Sequence, residues 1–233
     1  MQTQEETSAP SRPHSAQRLR DHGQLLPLCG VVYTVLLVAA AVAFPAAPGG
    51  DVSPAMNPGW LASHTGAVIA QSYVRASAAA AFVLLGVAIA GRIRSRIVDA
   101  PALGWAAGGG GATAGSLMAM GQACALASAL FVRDGGTADE VRLLGALQEA
   151  LLDVSALPAI FLFAATGLAG VRGLLPRWLS VLSLVGVPFG IVDALSYDGG
   201  PLGPIDVVGL VYFLAWAMLV GANLSRSRRP EHA

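Results

Sequence analysis

The chain has 233 residues, of which 55% are hydrophobic and 12% charged, and its mean hydropathy is +0.62. A soluble domain carries about 25% charged residues, so this composition argues against a water-soluble domain and makes the lipid bilayer the first expected partner. Fourteen basic residues balance fourteen acidic ones, which leaves no basic face for nucleic acid and no acidic tail for a cationic protein.

Residues 1–24 are polar, lack apolar periodicity and contain two prolines, so they read as a disordered cytoplasmic tail. A helix needs about 20 mostly apolar residues to cross about 30 Å of hydrocarbon. Six segments qualify, over residues 25–44, 67–91, 103–131, 143–170, 178–196 and 205–224. An open strand would leave its backbone unpaired in lipid, and the alternating pattern of an outer-membrane barrel is absent. The expected fold is therefore all-α: a polytopic membrane protein with six transmembrane helices in one bundle over residues 25–225, followed by a basic cytoplasmic tail at 226–233. The first apolar run also invites a reading as a cleaved signal peptide, but it exceeds the typical core of about 7 to 15 residues and five further spans follow.

Orientation follows from arginine. Arg12, Arg18, Arg20, Arg92, Arg94, Arg96, Arg172, Arg177, Arg226, Arg228 and Arg229 fall on one side of the six spans; Arg133 and Arg142 fall on the other, and Arg75 lies within a span. The positive-inside rule puts both termini in the cytoplasm. The external segment 45–66 is rich in Gly and Pro, and the external segment 132–142 is short and charged. Neither is long enough to form an extramembrane domain.

Three spans carry polar stripes. In the second, His64, Gln71, Arg75, Ala79 and Gly86 share a face, flanked by Ser72. In the third, Gly104, Gly108, Gly111, Gly115, Met118 and Gln122 form one stripe, the small-residue pattern of close helix contact. In the fourth, steps of three and four align Arg142, Gly145, Ala146, Glu149, Asp153, Ala156, Ile160 and Gly167, while Leu144, Leu147, Leu151 and Leu162 lie opposite. Charged groups within a span normally face the bundle interior or water, so the leucines are expected to meet lipid. Gln71, Arg75, Gln122, Glu149 and Asp153 are expected to form one buried polar cluster, with Arg75 pairing the two carboxylates, and Pro158 is expected to bend the fourth span.

His64, Asp193 and Asp206 belong to the outer rim. Asp206 fits an acid at a helix N-terminus, favoured by the helix dipole and by capping, and Trp178 fits an interface anchor. Cys29 and Cys124 fall near opposite faces of the membrane and are not expected to pair. No C-x-x-C or Cys/His cluster suggests zinc, the run GGGG lacks the Lys and the strand of a phosphate loop, and no cofactor is expected.

The stretch LFAATGLAGVRGLLPRWLSVLSLVGVPFG, residues 162–190, resembles a segment of a family of bacterial six-helix integral membrane proteins of unknown function, in which a helix ends at a Leu-Pro-Arg-Trp turn; here the turn is Leu175, Pro176, Arg177 and Trp178. The resemblance implies a bacterial inner (cytoplasmic) membrane and no assigned activity. Two functions follow from the residues themselves. One is a non-catalytic membrane protein whose buried charges organise the helix bundle. The other is a small transporter or channel-like protein, taking a small molecule or an ion, with an outward-facing polar cavity lined by Arg75, Glu149 and Asp153. An intramembrane enzyme would have to rely on His64 with rim carboxylates as metal ligands, since no hydrolase or metalloprotease motif is present.

Overall fold

A computed structural model describes residues 28–44, 57–195 and 203–226, without the side chains of 193, 195 and 203–207. The expected cytoplasmic tails, most of the first external segment, and the side chains of Asp193 and Asp206 lie outside the described residues. Six helices make up the described chain: α1 (Cys29–Ala43), α2 (Pro58–Arg96), α3 (Pro101–Arg133), α4 (Ala138–Val171), α5 (Arg177–Leu195) and α6 (Gly203–Arg226). No strand occurs among the described residues.

Four of these helices are long and apolar enough to cross a membrane: α2, α3, α4 and, in α6, Val208–Arg226. The helices α1 and α5 are apolar but shorter. At 1.5 Å per residue, the 15 residues of α1 reach only about 22 Å.

Helix boundaries depart from the hydropathy estimate where capping chemistry extends them. The external segment was expected to run to residue 66, yet α2 begins at Pro58, because the Asn57 side chain accepts a hydrogen bond from the Trp60 amide at 3.1 Å and proline suits the first helical position. The segment 132–142 likewise shrinks to four residues between α3 and α4. There Thr137 and Glu140 form a reciprocal capping box, with the Thr137 amide donating to Glu140 Oε2 at 2.8 Å and the Glu140 amide to Thr137 Oγ1 at 3.3 Å. The C-termini of α3 and α4 close in the same way. In each, a glycine in the left-handed region (Gly135, φ 83°; Gly173, φ 90°) turns the chain. The residue after it donates back five positions, Gly136 to Phe131 at 2.7 Å and Leu174 to Ala169 at 3.2 Å. The Gly173 turn leads directly into the Leu175-Pro176-Arg177-Trp178 sequence.

The helices pack as a ring in chain order: α1 against α2 and α6, α2 against α3, α3 against α4, α4 against α5, and α5 against α6. Between helices in lipid no hydrophobic driving force operates, so close packing and hydrogen bonds must hold them. The main buried cluster includes Tyr33, Phe82, Leu162, Phe163 and Trp216; a second, near the start of α2 and the α3–α4 turn, gathers Leu61, Val68, Ala129 and Val141. Buried hydroxyls are satisfied within their own helices, as with Ser72 to the Val68 carbonyl at 2.8 Å, Ser128 to Cys124 at 3.0 Å and Thr166 to Leu162 at 2.6 Å.

The glycine stripe of α3 faces α2, as the small-residue pattern predicts. A Cβ on Gly111 would lie 2.8 Å from Gly86 Cα, and one on Gly115 would lie 2.9 Å from the Ala79 carbonyl oxygen. A second glycine face, not singled out in the sequence, meets α4: a Cβ on Gly110 would lie 2.5 Å from the Pro158 carbonyl oxygen. The helix α3 is thus narrow on two sides, and both neighbours press against its backbone.

Candidate functional site

The five residues expected to form a polar cluster are distributed as follows. Gln71 and Gln122 are buried, Arg75 and Glu149 half-buried, and Asp153 exposed on the side of the bundle. Gln71 donates to the Ala40 carbonyl at 3.4 Å and so ties α2 to α1 rather than to α4. Glu149 and Asp153 each make an interaction of their own; ion pairs at the surface join Arg133 to Asp134, Arg142 to Asp139 and Arg172 to Asp99. The expected pairing of Arg75 with Glu149 or Asp153 is not among them.

The physical reason is the position of α3. It lies between α2 and α4, which touch each other only slightly, and its glycines draw each of them onto α3 instead. The buried face of α4 carries Val141, Gly145, Gln148, Ser155, Ala159, Leu162 and Phe163, which turns Asp153 outward. Leu162, expected against lipid, is fully buried, whereas Leu147 is exposed as expected. The helix α4 runs through Pro158 as a single element.

At mid-bundle the ring encloses a cavity of about 140 Å³, which the sequence reading missed. Tyr33 of α1, Met118 of α3, Ser155, Ala156, Ala159 and Phe163 of α4, Gly186, Phe189 and Gly190 of α5, and Gly209, Leu210, Tyr212 and Phe213 of α6 line it. Aromatic contacts build the wall. Phe163 meets Phe213 edge-on at 5.6 Å and Trp216 at 4.5 Å, Phe189 stacks on Tyr212 at 5.0 Å, and Tyr33 packs against Phe82 at 5.2 Å and Phe213 at 5.7 Å. The signal for it was available: only 6% of the chain is aromatic, yet Tyr212, Phe213 and Trp216 crowd one span well away from its ends, where interface anchoring cannot account for them.

The cavity sits where the ring is loosest. The helices α5 and α6 touch far less extensively than α4 and α5, and side-chain hydrogen bonds join them. The Tyr212 hydroxyl donates to the Leu182 carbonyl, and Trp216 Nε1 donates to Ser183 Oγ at 2.9 Å. Leu210, at the edge of the cavity, is 54% exposed, so this edge faces the surroundings of the bundle. Of the polar side chains in the wall, Ser155 donates to the Leu152 carbonyl at 2.5 Å and Tyr212 is engaged as described. Tyr33 is 2% exposed, and its hydroxyl has no hydrogen-bond partner among the described residues.

In its first turns, the backbone of α2 departs from helical geometry at His64 (φ −123°, ψ 15°). The His64 ring stacks on Trp60 at 4.5 Å, and its Nδ1 lies 2.9 Å from both the Trp60 carbonyl oxygen and Ser63 Oγ. His64 is thus engaged with its own helix, and no group of three His, Cys, Asp or Glu side chains able to hold a metal occurs among the described residues. Cys29 and Cys124 are both free thiols.

At the C-terminal ends of α2 and α4, Arg92, Arg96, Ile97, Arg172, Gly173 and Leu174 border a recess of about 320 Å³. Nearby, the Arg94 guanidinium lies 4.7 Å above the Trp105 ring. No protein-family model, no curated protein and no solved structure matches the chain.

Proposed function

We propose that this is a bacterial cytoplasmic-membrane protein with six spans and both termini inside, and that it is a non-catalytic binding protein holding a small apolar molecule within its bundle. The aromatic-lined cavity between α1, α3, α4, α5 and α6 is the observation that carries this reading. It is concave, mostly apolar and edged by a lipid-height gap, the setting in which small ligands are bound. A cavity of about 150 Å³ with apolar walls is large enough for one benzene-sized ring. The arginine asymmetry supports the orientation, and the shared ring of helices supports membrane crossing by α1 and α5 along with the four longer helices. The transporter alternative would need a cavity reaching Arg75, Glu149 and Asp153, and none of these lines the one at mid-bundle.

The test uses ethylbenzene and the full-length protein in detergent. Ethylbenzene is expected to raise the thermal unfolding midpoint, and Ala159→Leu, which fills the cavity, is expected to abolish the rise. An equal rise in the variant would place the binding elsewhere. A C-terminal reporter active only after export should stay silent; activity would invert the topology.

A further inference from the structure

We infer that the molecule held in this cavity is a lipid-soluble ring compound bearing a carbonyl oxygen, and that the Tyr33 hydroxyl donates to that oxygen. The inference rests on the binding role proposed above and adds the chemical class of the ligand.

The argument starts from hydrogen-bond accounting. Every enclosed side-chain polar atom among the described residues has a partner. The Tyr33 hydroxyl has none among the described residues, although the residue as a whole is 2% exposed, and the cavity is an open space that Tyr33 borders. A phenol held in an apolar site without a partner forfeits a hydrogen bond it would make in water, and buried Tyr hydroxyls usually find one. The other two hydroxyls in the wall, those of Ser155 and Tyr212, already donate to backbone carbonyls. One donor is left for a ligand, and it faces a space walled by the rings of Phe163, Phe189, Tyr212 and Phe213. Flat conjugated rings pack against such walls, and a carbonyl oxygen is the simplest acceptor that dissolves in lipid. Entry follows from the loose α5–α6 junction, where exposed Leu210 marks the cavity edge.

Acetophenone and ethylbenzene are a matched pair for the test, one ring with and without the carbonyl. Equilibrium dialysis against the full-length protein in detergent is expected to show that Tyr33→Phe weakens acetophenone binding about fivefold to tenfold and leaves ethylbenzene unchanged. The Phe variant keeps the ring that packs on Phe82 and Phe213. Should it nevertheless fail to fold, the wild-type protein gives a second reading: the infrared carbonyl stretch of bound acetophenone should shift down from its position in detergent alone. Equal binding of acetophenone by wild type and variant, or an unshifted carbonyl band, overturns the inference; if Ala159→Leu still abolishes ethylbenzene binding, the cavity reading survives. Failure of both probes to bind overturns the two together.

Discussion

Two parts of the ring are joined by opposite means. In the part built from α2, α3 and α4, glycines let backbone meet backbone, with Gly86 against Gly111 and Gly110 against Pro158. At the junction of α5 and α6, by contrast, side chains span the gap, Trp216 to Ser183 and Tyr212 to Leu182, while α1 returns to close contact with α6, where Gly30 meets the backbone of Ala217 and Gly221. The difference explains why the cavity lies where it does. Backbone contact leaves no room between helices, whereas contact through aromatic rings holds helices apart and leaves space between the rings. One part is built for fixed geometry and the other can accept a guest.

The strongest way to break this contrast is Gly111→Leu. A side chain there must displace the backbone of α2, and overpacking of about 3 kcal/mol or more is expected, read as loss of folded protein or a large drop in unfolding midpoint. The same change at Gly109, where a Cβ would meet nothing within 4 Å, should be tolerated. Equal sensitivity at the two positions would remove the claim that α3 contacts its neighbours by particular faces.

A smaller effect is expected in the looser part. Trp216→Phe retains a ring against Phe163 but removes the donor to Ser183, and should cost about 1 to 3 kcal/mol. A double-mutant cycle with Ser183→Ala isolates the bond from the lost ring area, and a coupling near zero would mean that α5 and α6 are held by ring packing alone.

The smallest effect belongs to the turn between α3 and α4. The Arg133 guanidinium, 2.9 Å away, holds the Asp134 carboxyl below the usual carboxylate range. A depressed folded-state pKa contributes stability that is present above the ordinary aspartate value of about 3.9 and is lost as pH falls through the lowered one. Because both side chains are fully exposed to solvent, Asp134→Asn should leave the midpoint unchanged at neutral pH. A clear drop would show that this turn carries more of the stability than either set of helix contacts suggests.

The fold was legible because lipid demands long apolar helices, and the α3 stripe was legible because Gly104, Gly108, Gly111 and Gly115 repeat at helical spacing. The rotation of α4 was legible only in part: Gly145, Ala156 and Gly167 of the expected inward face are buried and Leu147 is exposed, but Asp153 is exposed and Leu162 buried. In a bilayer, the face that meets a neighbour and the face that meets acyl chains are both apolar, so the contrast that locates a soluble core is missing. Placing Asp153 inward relied on its charge alone, whereas the buried side of α4 carries Gln148, Ser155 and Ala159. Local chemistry did hold the start of α2, since Asn57 and Pro58 form a cap and first turn, but hydropathy passes over them. The aromatic cluster of Tyr212, Phe213 and Trp216 hinted at a cavity, but its walls come from five helices, and which residues meet there depends on how those helices pack.

The contact between Gly86 and Gly111 has a genetic consequence. Each residue meets the other through its α-carbon, so neither partner has a side chain left to shorten. An enlarged residue at either site has no compensating exchange available at the other, and second-site suppressors of Gly111→Leu should arise only where they move a whole helix. Selection screens for revertants would then return the original glycine, or a smaller residue at the same codon, far more often than any change at Gly86.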